Sequence, residues 1–170
     1  MKKKYIKIAI DSPAGAGAGT QSKLISKNYN LFYLDTGKIY RVLAFEKMKK
    51  NEFNMNLVKK KLKQIKLNDL NNKNLLSSDI GIEASKISKN IKIRKMVDVM
   101  QKKYAYKPPK GYDGSCLDGR DITYKIIPDA DFKFFITADI NVRAKRRYKE
   151  LKKLNKNINY SEVLQSIKKR

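Results

Sequence analysis

Residues 8–20 read IAIDSPAGAGAGT, an apolar run followed at once by a glycine-rich turn. An apolar run that ends in an acid and a proline is typical of a buried parallel strand. Glycines between a strand and a helix leave peptide N–H groups open to a polyphosphate, and the helix N-terminus attracts the same anion. The stretch therefore predicts a strand, a phosphate-binding loop and a helix that begins near Gly19 and Thr20 and turns Leu24 and Ile25 towards the sheet.

A second stretch, SCLDGRD at residues 115–121, also places charged side chains directly after an apolar strand. Asp118 can supply a carboxylate to a metal, and Arg120 carries a fixed fork of donors for a phosphate. The carboxyl ends of strands are where open α/β sheets bind ligands. The two stretches together predict phosphoryl transfer on a nucleotide.

Composition limits the alternatives. The 170 residues are 41% apolar, which suffices for one domain with its own core. No apolar run approaches the roughly 20 residues of a membrane helix, and the lysine-rich start lacks the features of a signal peptide, so we expect a cytoplasmic protein. A single cysteine, Cys116, cannot form an internal disulfide, and its place in a predicted strand favours a packing role.

The net charge of +24, from 40 Lys and Arg against 16 Asp and Glu, raises the question of nucleic-acid binding. The lysines are spread along the whole chain, and no zinc-finger spacing or RNP motif accompanies them, so specific nucleic-acid binding is disfavoured. Histidine is absent, which excludes an imidazole base and a metal site that needs histidine. Phosphoryl transfer needs neither, because positioning and electrostatics do most of the work.

Strand and helix patterns alternate along the chain, as in α/β folds. An amphipathic helix is predicted over 79–104, broken near Asn90, with Ile87, Ile91, Val97 and Met100 on one side. Asp139 is the predicted cap of a basic helix at 140–153, and Ser161 that of a last helix. The predicted strands are Tyr5 to Ile10, Leu31 to Leu34, Ser115 to Leu117 and Lys133 to Thr137.

Four blocks of the sequence resemble bacterial cytidylate kinases, in the same order and at matching spacing. They are IAIDSPAGAGAGT (8–20), YLDTGKIYR (33–41), LDGRDI (117–122) and PDADFKFFITADINVRAKRRYKEL (128–151). The resemblance implies the fold of a P-loop nucleoside monophosphate kinase, an α/β fold with a parallel sheet flanked by helices, a small monophosphate-binding insertion and a lid. It divides a single kinase domain, 1–170, into a core (1–40 and 107–140), an insertion (41–106), a lid (141–157) and a final helix (158–170).

The resemblance also implies an activity: transfer of the γ-phosphoryl group of ATP to CMP or dCMP by a monomer, with Mg²⁺ bound mainly through the nucleotide and no separate metal site. Arg120 would grip the acceptor phosphate, Asp121 would read the cytosine edge, and Asp118 would lie near the Mg²⁺. Arg143, Arg146 and Arg147 would form a basic lid over ATP. The ATP loop would comprise Ser12, Pro13, Ala14, Gly15, Ala16, Gly17, Ala18, Gly19 and Thr20.

The remaining implied contacts to CMP come from two other parts of the chain. Asp35, Thr36, Tyr40 and Arg41 would border the monophosphate, and Ser85 and Arg94 would help to read cytosine. An acceptor at Asp121 suits the cytosine N4 amine, and Arg94 can donate to N3 or O2, which disfavours adenine and guanine. The implied catalytic residues are Arg41, Arg120, Asp118, Arg143 and Arg147.

Several positions depart from these patterns. In the phosphate-loop motif GxxxxGK[ST], Ser12 stands in place of the first glycine and Ala18 in place of the lysine. That lysine normally reaches the β- and γ-phosphates; Lys23 and the lid arginines are possible substitutes. Leu76 stands where the family usually has an arginine. The family's later arginine motif and final strand do not occur among these residues, so the chain is expected to be short at its C-terminus.

Other functions stay open at this point. The TQSK continuation of the loop, residues 20–23, also resembles adenylate kinases, so the loop alone does not choose the acceptor base. The alternatives are a kinase for another nucleoside monophosphate such as AMP or UMP, a catalytically weak nucleotide-binding protein, and a basic RNA-binding module.

Overall fold

The computed structural model describes residues 5–50, 53–153 and 157–168. Within these residues the strands form one four-stranded sheet in the order β2-β3-β1-β4, and β1 pairs in parallel with both of its neighbours. The α/β fold with a parallel sheet is therefore confirmed. The strands are β1 (Ile6–Asp11), β2 (Leu31–Asp35), β3 (Gly114–Gly119) and β4 (Phe132–Phe135).

Helices follow or separate the strands throughout the described chain. Two short 3₁₀ helices, Leu67–Asn71 and Lys73–Leu76, precede α4, and a π-helical turn, Ile122–Ile126, follows β3. The α-helices are α1 (Ala18–Asn28), α2 (Gly37–Lys49), α3 (Met55–Gln64), α4 (Ser78–Ile87), α5 (Ile91–Tyr106), α6 (Ile140–Lys152) and α7 (Tyr160–Lys168).

The chain divides into two compact units, one containing residues 1–34 and 104–170 and the other residues 35–103. The second unit and the predicted insertion, 41–106, share most of their residues. The further division of the kinase domain into core, lid and final helix stays a prediction.

In the first unit, one cluster of the core lies between β1, β3 and α1. Ile8 and Ile10 of β1 pack with Ala18, Leu31 and Cys116, and all five are buried. The packing role predicted for Cys116 is confirmed. Burial raises the pKa of its thiol to about 11, with the charge of Asp118 acting in the same direction against the hydroxyls of Ser26 and Ser22. The thiol is therefore protonated at neutral pH.

In the second unit, α2 and α4 supply much of the core. Ile39, Val42 and Leu43 of α2 are buried, as are Ile80 and Ile87 of α4. An ion pair between Lys47 Nζ and Glu83 Oε1, at 2.7 Å, joins the same two helices at the surface. The helical spacing of the apolar residues therefore accounts for this packing.

Four expectations about individual elements need correction. Leu24 is 52% exposed and Ile91 is 71% exposed, so neither faces a core. The break predicted near Asn90, by contrast, is confirmed: Asn90 Oδ1 accepts hydrogen bonds from Lys92 N and Ile93 N, and a new helix begins at Ile91. Ser161 does not cap the last helix, since Asn159 Oδ1 accepts from Ser161 N. The predicted strand at 133–137 lies at 132–135 and is exposed throughout.

None of the helices in the described ranges combines the length and the apolar character that crossing a membrane requires.

Candidate nucleotide site

The glycine-rich loop joins β1 to α1 in the conformation that its glycines permit. Gly15 and Gly17 have positive φ angles of 79° and 98°, which side chains with a Cβ rarely adopt. Gly17 is the N-cap of α1, and its carbonyl oxygen accepts from Thr20 N at 3.1 Å and from Gln21 N at 3.2 Å. The predicted turn is confirmed, and the helix begins only one or two residues earlier than expected. The N-terminus of α1 therefore follows directly on the loop.

Helix α6 lies directly against this loop, and the glycines allow that approach. A Cβ on Gly15 would lie 2.8 Å from the Arg143 carbonyl oxygen, and one on Gly17 would lie 3.2 Å from Arg146 Nη1. Ala14 also packs against the apolar cluster that α6 forms with α7. These glycines thus make room for a protein neighbour, a role that the motif alone did not indicate.

Asp118 lies at the same edge of the sheet as the loop. In the strand register it stands opposite Ile10, and Ser12 N donates to the Gly119 carbonyl oxygen at 3.0 Å. Its side chain is 7% exposed and accepts a hydrogen bond from Tyr33 Oη at 3.0 Å. A Cβ on Gly19 would lie 3.4 Å from Asp118 Oδ2, so the carboxylate borders the first turn of α1. The strand pattern predicted this carboxylate but gave no sign of Tyr33.

Asp11 fixes the chain that follows Arg120 and Asp121. Its buried carboxylate accepts from Ile122 N at 2.8 Å, from Thr123 N at 3.1 Å and from the Thr123 hydroxyl. These partners stand 111 and 112 residues away along the chain. Position at the end of a strand is the only signal that could have drawn attention to Asp11. Its role is to position the DGRD segment beside the loop.

We expect Asp11→Ala to lower the free energy of unfolding by about 2–3 kcal/mol, because it strands buried N–H donors. Asp11→Asn keeps one carbonyl acceptor and should lose about half as much. Urea unfolding of both variants and the unaltered chain measures these differences. A loss below about 0.5 kcal/mol for Asp11→Ala would show that water replaces the carboxylate.

Arg120 and Arg143 place two positive charges near each other in the first unit. Although Arg120 is exposed as a residue, partial desolvation of its guanidinium lowers its pKa, and the charge of Arg143 lowers it further. Arg143 Nε is buried and has no hydrogen-bond partner among the residues that the structure describes. Close guanidinium groups repel each other unless an anion lies between or beside them. The arrangement therefore suits a bound phosphate.

The neighbouring site residues are engaged with the protein itself. Asp121 Oδ2 lies 3.8 Å from Lys125 Nζ, and its carbonyl oxygen accepts from Lys125 N and Ile126 N. Arg147 Nη1 lies 3.1 Å from Glu150 Oε2 on the same helix. Asp139 caps α6 as predicted, accepting from Asn141 N at 2.8 Å. Hydrogen bonds from the backbone N–H groups of Asn141, Val142 and Ile140 lower the pKa of its carboxyl group.

Arg146 reaches the loop that lacks its lysine. Arg146 Nη1 donates to the Ala16 carbonyl oxygen at 2.8 Å, across 130 residues of sequence. The sequence placed Arg146 in a basic lid helix without choosing it over its neighbours, and nothing in the local pattern marks it out. Its guanidinium hydrogen-bonds the loop backbone directly.

The second unit carries the other predicted CMP contacts. Thr36 is buried at the start of α2, Asp35 and Tyr40 are half-buried, and a Cβ on Gly37 would lie 3.3 Å from Asp35 Oδ1. Arg41 Nη1 donates to the carbonyl oxygens of Leu75, at 2.5 Å, and Ser77, at 3.3 Å. Arg41 therefore also joins α2 to the segment before α4.

Ser85 and Arg94 lie on two helices instead of one. Ser88 Oγ donates to the Ser85 carbonyl oxygen at 2.9 Å, and Arg94 Nε donates to the Ser88 carbonyl oxygen at 3.1 Å. The guanidinium of Arg94 thus turns back to the end of α4. The break at Asn90 brings the two predicted residues to the same corner of the second unit.

Proteins of similar sequence share one family description. The family model described as cytidylate kinase matches residues 8–170. The chain is 41% identical over 168 residues to a cytidylate kinase of Bartonella tribocorum, covering 96% of this chain and 75% of that protein. It is 35% identical over 181 residues to one of Mesomycoplasma hyopneumoniae (98% and 77%) and 34% identical over 171 residues to one of Thermosipho melanesiensis (95% and 76%). The matching family model and these relatives show that the chain belongs to the cytidylate kinase family.

Proposed function

We propose that this protein transfers the γ-phosphoryl group of ATP to CMP or dCMP. A phosphate oxygen of the acceptor forms a bond to the γ-phosphorus while the bond from that phosphorus to the β,γ-bridging oxygen breaks, which releases ADP and CDP or dCDP. The observation that carries the proposal is the set formed by the glycine loop, Asp118 and Arg120 at one edge of the sheet, where Asp11 fixes the chain that follows Arg120. The names of the family and of its relatives support the same reaction.

On the ATP side, residues 12–20 would supply backbone N–H groups and the Thr20 hydroxyl to the phosphates. A Mg²⁺ ion carried by ATP would neutralise charge on the transferring group, and a carboxylate such as Asp118 is a ligand type that this ion accepts. Asp118 is buried and borders the first turn of α1, which suits that role. Arg143 and Arg147 would contact the phosphoryl group as it transfers.

On the acceptor side, Arg120 would hold the phosphate of CMP and Asp121 would accept from the cytosine N4 amine. In the second unit, Arg41 would donate to the monophosphate beside Asp35, Thr36 and Tyr40, and Ser85 and Arg94 would contact the base. The corner that joins Ser85 to Arg94 through Ser88 supports the assignment of these two residues to one task. We also propose that the protein acts as a monomer in the cytoplasm, where its nucleotide substrates occur.

A second candidate function is nucleotide binding with weak turnover, and the replacement of the loop lysine by Ala18 favours it. Tight ATP binding with turnover that CMP does not increase would support this alternative.

We expect turnover with CMP and dCMP to exceed that with UMP, and all three to exceed that with AMP and GMP. Asp121→Asn should reduce the preference for CMP over UMP by about tenfold while leaving ATP affinity within about twofold, because its proposed contact is to the base. ADP release measured separately with each acceptor tests both statements. A preference for AMP would contradict the assignment of cytidine as the substrate.

A further inference from the structure

Ala18 cannot perform the task of the lysine that the phosphate-loop motif normally has at its position. Its side chain is 5% exposed and packs with Ile8 and Ile10 in the core. The methyl group carries no charge towards a phosphate. A kinase with this loop therefore needs a cation from another part of the chain.

Lys23, the basic residue that follows on α1, is poorly placed for that task. Five residues along an α-helix correspond to a rotation of about 140° around the axis and a rise of about 7.5 Å. Lys23 is exposed on α1, away from the first turn that follows the loop. The geometry does not direct its ammonium group to the position of residue 18.

Arg146 does reach the loop. Its Nη1 atom donates to the Ala16 carbonyl oxygen at 2.8 Å and lies 3.2 Å from the position of a Cβ on Gly17. Ala16 and Gly17 are the two residues that directly precede Ala18. The guanidinium therefore lies at the loop that cradles the phosphates, and Gly17 leaves the room it occupies.

The surroundings of α6 keep this guanidinium in place. Asp139 caps the helix, and Ala144 and Leu151 are buried in the cluster with Val163 and Ile167 of α7. The Arg143 carbonyl oxygen lies against Gly15. Because the backbone of α6 contacts the loop directly, the Arg146 side chain extends over a short and fixed distance.

We propose that Arg146 takes the place of the missing phosphate-loop lysine and contacts the β- and γ-phosphates of ATP, which rests on the proposed kinase function. One N–H of its guanidinium holds the Ala16 carbonyl oxygen, and the planar group presents further donors to phosphate oxygens. The chain thus carries the essential cation on α6 instead of on α1. A lysine restored at position 18 would enter a site where a positive charge already lies.

The test combines both positions in four proteins: the unaltered chain, Ala18→Lys, Arg146→Ala and the double variant. Two properties are measured, the affinity for the Mg²⁺ complex of a non-hydrolysable ATP analogue and the rate of CMP-dependent ADP release. We expect Arg146→Ala to weaken analogue binding at least about tenfold and to lower kcat at least about thirtyfold. The double variant should recover most of both losses, and Ala18→Lys alone should give no increase.

Matched variants separate this role from general effects. Lys145→Ala removes one positive charge from an exposed position on the same helix and should change neither property more than about twofold. Arg146→Lys keeps the charge without the fork and should retain part of the affinity. Thermal melting of each protein shows that it is folded; if the double variant is not, Arg146→Ala and Arg146→Lys decide the question.

Unchanged or tighter analogue binding by Arg146→Ala would overturn the proposal, since the guanidinium would then merely block the loop. An increase of tenfold or more in kcat for Ala18→Lys alone would also overturn it, because it would reveal a vacant cation site. The analogue measurement does not depend on the acceptor. Binding that falls with Arg146→Ala in a chain that does not phosphorylate CMP would contradict the proposed function and support the role of Arg146.

Discussion

Replacement of Arg120 by alanine is expected to lower kcat/KM for CMP by at least about a hundredfold, or ~3 kcal/mol of transition-state stabilisation. The reason is electrostatic. Desolvation and the charge of Arg143 both lower the pKa of Arg120, so an anion bound beside Arg120 would interact with two positive charges. Steady-state kinetics at varied CMP and saturating Mg²⁺–ATP measure the effect.

Two further variants define what that loss means. Lys110→Ala removes an exposed positive charge from the same unit and should change kcat/KM by less than about twofold. Arg120→Lys keeps the charge and loses the planar fork, so we expect an intermediate activity. The free energy of unfolding should stay nearly constant in all three proteins. A loss below about threefold for Arg120→Ala would show that Arg120 is an ordinary surface charge.

Much of the fold could be predicted because its signals are local. The run from Ile6 to Ile10 is apolar and short, and the glycines that follow take the positive φ angles that favour glycine. Asp139 caps α6 through Asn141, two residues away, and the pattern of acid before helix is visible in the sequence. Such features depend on neighbours in the chain, so the sequence alone contains enough information to place them.

The contacts that shape the candidate site are different in kind. Asp11 meets Ile122 across 111 residues, and Arg146 meets Ala16 across 130. No periodicity or capping rule connects residues at these separations, because only the register of the sheet and the packing of α6 bring them together. The resemblance to a family named the lid arginines but could not say which of them reaches the loop of a chain that lacks the lysine.

Exposure was also hard to predict. Leu24 and Ile91 fit apolar helical spacing but face solvent at 52% and 71% exposure, because a spacing fixes a face of the helix and not what covers it. The strand predicted at Lys133 to Thr137 gave no indication of its exposure, yet β4 stands at the end of the strand order, and Phe132, Phe134 and Phe135 are exposed. Burial depends on neighbours that only the folded chain supplies.

Replacement of Arg41 by alanine is expected to cause two separate losses. The first is catalytic: kcat/KM for CMP should fall at least about a hundredfold, since the variant lacks the guanidinium that we propose to hold the phosphate of CMP. The second follows from the structure. Arg41 donates to the carbonyl oxygens of Leu75 and Ser77, so its removal should also lower the free energy of unfolding by about 1–3 kcal/mol.

The two losses respond differently to Arg41→Lys. A lysine can still donate to one carbonyl oxygen and keep most of the stability, but it cannot form the paired contact with a phosphate, so activity should recover far less than stability does. Urea unfolding and steady-state kinetics on the same preparations measure both, at a temperature where each variant is folded. Activity and stability that recover together would show that Arg41 acts only by holding the segment before α4.

A Cβ on Gly81 would lie 2.9 Å from Arg41 Nη2. Gly81→Ala should therefore displace the same guanidinium independently, and we expect it to lower activity without removing any charge.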